Sequence, residues 1–238
     1  MLKFSDINAF RNQSLEPPCR NGFTLSELLM ALTIVGVIAV LTVPVMMNNI
    51  HNKMFATQVK NMAATIEQLA QDQLIVHRTR DLSDTDFGDP EKLLTDKHFA
   101  ITKTCSSSSA AKDCWKTAAT GKDKVTYKNL NKQNISLGNA KTIILKNGVI
   151  LLYNLETSTD SAVGYFIIDI NGNDNPNIVG RDLFAFFVTP KGRIADISSI
   201  VNANDQLNTK ISKCKNDVGY GFFYCYGTLV DSGWKMDY

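Results

Sequence analysis

From Leu28 to Ile50 the chain reads LLMALTIVGVIAVLTVPVMMNNI and carries no formal charge. Wound as a helix, this run reaches about 35 Å, enough to cross a hydrocarbon core of roughly 30 Å. A buried helix of a globular protein rarely stays uncharged for so long, so the run is read as a membrane span. A cleaved secretory signal fits less well. Residues 1–22 are polar, include Pro17, Pro18, Cys19 and Arg20, and no A-x-A-like site follows the apolar run. Lys3, Arg11 and Arg20 precede the span, which places the short leader on the cytoplasmic side and exports the bulk of the chain.

Past Ile50 the polarity changes while a helical period continues. Phe55, Val59, Met62, Ile66 and Leu69 recur at alternating spacings of four and three, with Lys60, Asn61 and Gln68 between them. The phase meets Gln73, recovers at Val76 and stops before Asp81. An unbroken helix from Phe23 to about Arg78 would extend roughly 84 Å. Pro44 lacks a backbone donor and is expected to bend or open it. The heptad-like stripe is too short to argue a coiled coil, so it is expected to pack on the chain's own C-terminal sheet.

Strand signals begin at Lys141. Lys141–Lys146, Asn147-Gly148 and Val149–Asn154 predict a two-residue hairpin with a type I′ turn. Val163–Ile170 and Leu183–Thr189 read as further strands, and Pro190-Lys191-Gly192 turns into Arg193–Ile197. Short turns between consecutive strands argue an antiparallel sheet, so the fold class is α+β. The expected organisation is a leader at 1–22, an apolar helix at 23–50, an amphipathic stalk at 51–80 and a globular head at 81–238.

Charge adds two contrasting segments. Residues 81–96 carry Asp81, Asp84, Asp86, Asp89, Glu91 and Asp96 against Lys92, with Asp89-Pro90-Glu91 set to start a short helix. Residues 97–141 hold nine Lys, with Trp115 and Tyr127 nearby, a composition that could meet an anionic surface. A solvated loop is the preferred reading, and nucleic acid is not expected as a partner. For the whole chain Lys+Arg 25 against Asp+Glu 23 gives a net charge of +2, which does not call for bulk nucleic-acid binding.

Candidate chemistry is sparse. Asp169, Asn171, Asn173 and Asp174 place oxygen ligands near one another in a loop, as a calcium site requires. The EF-hand spacing fails, because Gly172 is fourth rather than sixth and the twelfth residue is Gly180. A structural turn is preferred, with structural calcium as the alternative and no other cofactor expected. Five Cys become four without Cys19, and proximity suggests Cys105–Cys114 and Cys214–Cys225 among three connectivities. There is no H-E-x-x-H, G-x-S-x-G or G-x-x-x-x-G-K-[ST], and His51, His77 and His98 are scattered, so no enzyme is expected.

The junction Gly22-Phe23-Thr24-Leu25-Ser26-Glu27-Leu28 sets a carboxylate at the edge of the apolar span, where an ionised group is costly unless paired. This stretch, behind a polar leader, resembles the processing site of type IV pilins and pseudopilins. Gly36 and Pro44 fall where such helices kink. The resemblance implies cleavage by a prepilin peptidase between Gly22 and Phe23, N-methylation of Phe23, and pairing of Glu27 with the Phe23 ammonium of a neighbouring subunit. It also implies a lollipop-shaped fold and a disulfide-bounded loop at Cys214–Cys225. The expected partners are copies of the chain or other pilins and the inner-membrane assembly machinery. The expected location is the bacterial inner membrane and then an extracellular or periplasmic filament. A type IV pilus subunit leads, ahead of a type II secretion pseudopilin or a minor pilin for DNA uptake. A non-polymerising membrane-anchored binding protein is the rival from another class.

Overall fold

The computed structural model describes residues 22–201, 205–216 and 221–238, so the leader lies outside the described residues except for Gly22. Two compact units are distinguished, one ending at Met47 and one spanning Asn48–Tyr238. The layout is α+β, as expected: an N-terminal apolar helix precedes a six-stranded antiparallel sheet.

In the first unit, helix α1 (Leu25–His77) begins with Leu25–Val43, a stretch of mean hydropathy 2.2 that is wholly exposed. Leu28, Val35, Val40 and Leu41 are each more than half exposed. The helix assignment continues through Gly36 and Pro44. A side chain added at Gly36 would touch nothing, so packing within the chain does not demand glycine there.

In the second unit, the rest of α1 joins helix α2 (Pro90–Leu93), strands β1 (Ile101–Cys105), β2 (Thr142–Leu145), β3 (Ile150–Leu155), β4 (Gly164–Asp169), β5 (Leu183–Val188) and β6 (Ile194–Ala195), and helices α3 (Ile197–Ile200), α4 (Leu207–Asn216) and α5 (Phe222–Asp231). The strands lie in sequence order, every neighbouring pair antiparallel. Strand β5 reads LFAFFV and is buried at every position, the signature of a strand covered on both faces. Helix α5 supplies part of that cover: Phe223 stacks on Phe187 at 4.7 Å and meets Tyr165 edge-on at 5.2 Å.

The α1 stripe keeps Val59 and Ile66 at its centre, as expected, and is completed by alanines one position past the other expected residues. Its buried centre is Ala56, Val59, Ala63, Ile66 and Ala70, while Phe55, Met62 and Leu69 flank it half-buried. Alanine there lets neighbouring backbone come close. A side chain at Gly192, in the β5–β6 turn, would lie 3.3 Å from the Ala70 methyl. Gln71 Nε2 donates to the carbonyls of Lys191 and Gly192 at 2.9 and 3.0 Å, and Arg193 pairs with Glu67 at 2.7 Å. Val76, expected to resume the stripe, is exposed, because α1 ends at His77 and Arg78 takes a positive φ of 51°.

Three other expectations are corrected. The β2–β3 turn holds three residues, Lys146-Asn147-Gly148, closed by Leu145 and Val149. Type I′ needs positive φ at both central residues, yet of Asn147 and Gly148 only Gly148 has it (88°), the geometry of a turn ending in a left-handed glycine. Ile101–Cys105 lies within the expected basic loop, but it forms a strand rich in β-branched residues that pairs with β2. Arg193–Ile197 gives only the two-residue β6, because Asp196 caps α3 by accepting the Ser199 amide at 3.1 Å.

Two disulfides fasten the periphery. Cys105 at the end of β1 is joined to Cys114, and Cys214 in α4 to Cys225 in α5. All four are buried.

Candidate functional site

Gly22, Phe23 and Thr24 precede the first turn of α1 and are exposed, Phe23 at 87%. The Gly22–Phe23 bond therefore lies in accessible, non-helical backbone, the form a peptidase cleft accepts. Two residues on, Thr24 and Glu27 form a reciprocal cap. Glu27 N–H donates to Thr24 Oγ1 at 3.2 Å, and Thr24 donates from its amide at 2.9 Å and its hydroxyl at 2.7 Å to Glu27 Oε2. A carboxylate in the first turn also faces the positive end of the helix dipole. Thr24 was missed in the sequence, although the spacing T-x-x-E at Thr24–Glu27 is the ordinary mark of such a cap.

This cap fixes the local chemistry. Thr24 is next to the residue whose amine a cut after Gly22 would release, and it holds Glu27 beside that point. The pair sets a carboxylate against a hydroxyl that donates to it at 2.7 Å. Gly36 and Pro44 lie downstream on the same helix.

The oxygen-rich loop between β4 and β5 is a second locus. Asp169 is fully buried and accepts the Tyr127 hydroxyl at 2.6 Å. Burial pushes its carboxyl well above the usual range, and the nearby Asp182 charge pushes it further. Burial raises Asp182 too, against the amides of Ile178 and Asn177, which donate to it at 2.7 and 2.6 Å. Asn171 and Asn173 are half-buried, whereas Asp174 is exposed and contributes its carbonyl to Asn171. Asn177 and Asp182 join this locus without having been singled out in the sequence. The strand pairing of Asp169 with Leu183 brings in Asp182, and Asn177 follows by donating its amide to Asp182.

The charged segments find partners within the chain. Asp86 meets Lys97 at 2.9 Å and His98 at 2.7 Å, and Glu91 meets Lys141 at 2.7 Å. Among the described residues no group of three or more His, Cys, Asp or Glu side chains is arranged to hold a metal ion. Asp196 anchors a further network. Burial pushes its carboxyl up, but the Lys210 ammonium at 2.8 Å and the Ser199 and Ser198 hydroxyls outweigh that and hold it below the usual range. A side chain at Gly227 would overlap the same carboxylate, so α5 needs glycine at its closest approach.

Against known proteins, residues 18–43 match the family model described as the prokaryotic N-terminal methylation motif. No curated protein and no solved structure matches the chain. The matched stretch contains Gly22, Phe23, the Thr24–Glu27 cap and the exposed apolar start of α1, and it gives this N-terminus the type IV prepilin-like signal.

Proposed function

We propose that the chain is a structural subunit of a type IV pilus or related filament. A prepilin peptidase cuts it between Gly22 and Phe23, Phe23 is N-methylated, and subunits polymerise through the apolar part of α1. The observation that carries this reading is the match of the methylation motif over residues 18–43, running directly into an apolar helix that the chain itself leaves uncovered. Lipid covers Leu25–Val43 before assembly, and apolar helices of neighbouring subunits replace it afterwards.

Glu27 sets register in this scheme. Its carboxylate leaves or shares the Thr24 cap to meet the Phe23 ammonium of a neighbour, and the pair neutralises a charge that would be costly alone. The head is exported, where two disulfides persist in an oxidising compartment. The protein acts through assembly, not catalysis.

Glu27→Val provides the test. Membrane insertion stays at the wild-type level, while the chain recovered in sheared filaments falls at least tenfold. Wild-type filament yield from Glu27→Val would remove the assignment.

A further inference from the structure

The β4–β5 connection holds an unusual set of buried oxygens. Asp169 Oδ1, Asn171 Oδ1, Asn173 Oδ1 and Asn177 Oδ1 are all enclosed and none accepts a hydrogen bond. Asp169 is 0% exposed and Asn177 5%. Buried oxygens without partners are rare, because each loses its hydration for nothing. Four within nine residues of one loop mark a place that something else completes.

The amide nitrogens show how these oxygens are aimed. Asn171 Nδ2 donates to the carbonyls of Asp174 and Asn175 at 3.0 and 2.9 Å, and Asn173 Nδ2 donates to the Cys114 carbonyl at 2.9 Å. With both amide nitrogens engaged, the Asn171 and Asn173 side-chain oxygens are the atoms left open, and the Asn171 side chain also lies against Asp182. Tyr127 donates to Asp169 Oδ2, and the Asn171 and Gly172 amides face the same carboxylate, while Oδ1 has no partner of good hydrogen-bond geometry. Asn177 takes φ 53° and Gly172 φ 69°, so the loop turns through left-handed backbone at both positions. A side chain at Gly172 would press on the Gly148 carbonyl at 2.7 Å, which ties the loop to the β2–β3 turn.

The charges also lack a partner. Asp169 and Asp182 are both fully buried and close enough to repel, and among the described residues neither forms an ion pair. The nearest candidate in sequence, Arg181, is committed to the carbonyls of Met236 and Tyr238 at 2.8 and 2.7 Å. Two buried carboxylates and several amide oxygens, with no nitrogen or sulfur ligand among them, form a hard-oxygen set.

We propose that this loop binds one calcium ion, held by Asp169, Asn171, Asn173 and Asn177 with Asp182 balancing its charge. Calcium takes six to eight oxygens in flexible geometry, so an irregular loop of neutral and charged oxygens suits it better than the near-octahedral, water-retaining magnesium ion. The ion ties β4 to β5 and, through Asn173 and Cys114, to the Cys105–Cys114 disulfide. The site lies wholly in the Asn48–Tyr238 unit, so it stands or falls independently of polymerisation.

The test uses the full chain in detergent micelles, stripped with EGTA and then equilibrated with radioactive calcium chloride. Close to one calcium per chain at 1 mM is expected, with a higher melting midpoint of the head than in EGTA. Asp169→Asn and Asn173→Ala each weaken uptake at least tenfold. Asn173 is half-buried and hydrogen-bonds only through its amide nitrogen, so Asn173→Ala decides the matter should Asp169→Asn fail to fold. No stoichiometric uptake by folded wild-type protein would overturn the proposal, since the carboxylates are then settled by a shared proton. Uptake unchanged in Asn173→Ala, or an equal response to magnesium chloride, would overturn it as well.

Discussion

The two units are built from the same apolar residue types and treat them in opposite ways. In Leu25–Val43 valine, isoleucine and leucine are exposed on every side of a helix, as in Val40 at 73%. In the head the same types are enclosed, and β5 is buried at all six positions. Burial of apolar area at about 25 cal/mol per Å² stabilises the head from within. The N-terminal stretch gains nothing comparable from its own chain, so its cover must come from lipid or from other subunits. One unit is covered by its own chain, and the other leaves an apolar helix uncovered.

Substitutions sharpen that contrast. Phe166→Ala, at a ring fully buried between Tyr153 and Phe186, costs the head about 3–5 kcal/mol and leaves membrane insertion unchanged. Denaturant melts of the detergent-solubilised chain, beside membrane fractionation, check both halves. Val37→Arg inverts the result: insertion suffers by about 2.5–3.5 kcal/mol while the head melts as in wild type. If Val37→Arg destabilised the head to a similar degree, the division into two differently covered units would be broken.

A smaller effect concerns acid. Asp196 is held below the usual carboxylate range, so its contribution is present above the unfolded value near 4 and is lost as pH falls through the lower folded value. Asp196→Asn is expected to cost about 1–3 kcal/mol at pH 7, with wild type and variant converging as pH falls through the lowered folded value. The pH dependence of the melting midpoint reads this directly, and parallel curves would argue against the Lys210 pairing as its source.

What the sequence disclosed depended on how local each signal was. The apolar run, the four strands from β2 to β5 and the Asp89 cap of α2 depend on neighbours in sequence, and their patterns announced them. Helices α4 and α5 went unseen. Lys210 and Cys214 bury one turn apart on an otherwise polar α4, and the aromatic run Phe222–Tyr226 with Gly227 reads as anything but a helix until it packs on β5. The alanines of the α1 stripe went unread for the same reason: alanine scores weakly as a hydrophobe, and its value at Ala70 lies in a close approach that only the folded turn at Gly192 reveals. At the N-terminus, the motif read around Gly22, Phe23 and Glu27 falls within the matched stretch 18–43, and the Thr24–Glu27 cap was legible but passed over. In the β4–β5 loop, the pairing of Asp169 with Leu183 sets Asp182 beside Asp169, and Asn177 joins them by donating its amide to Asp182.

The central claim is that this N-terminus is processed and then assembled. Intact cells are sheared, the released filaments are collected, and the first residue of this chain is read by mass spectrometry in filament and membrane fractions. The account predicts a chain beginning at methylated Phe23 in the filaments. A chain still beginning at Met1 and confined to the membrane would contradict it.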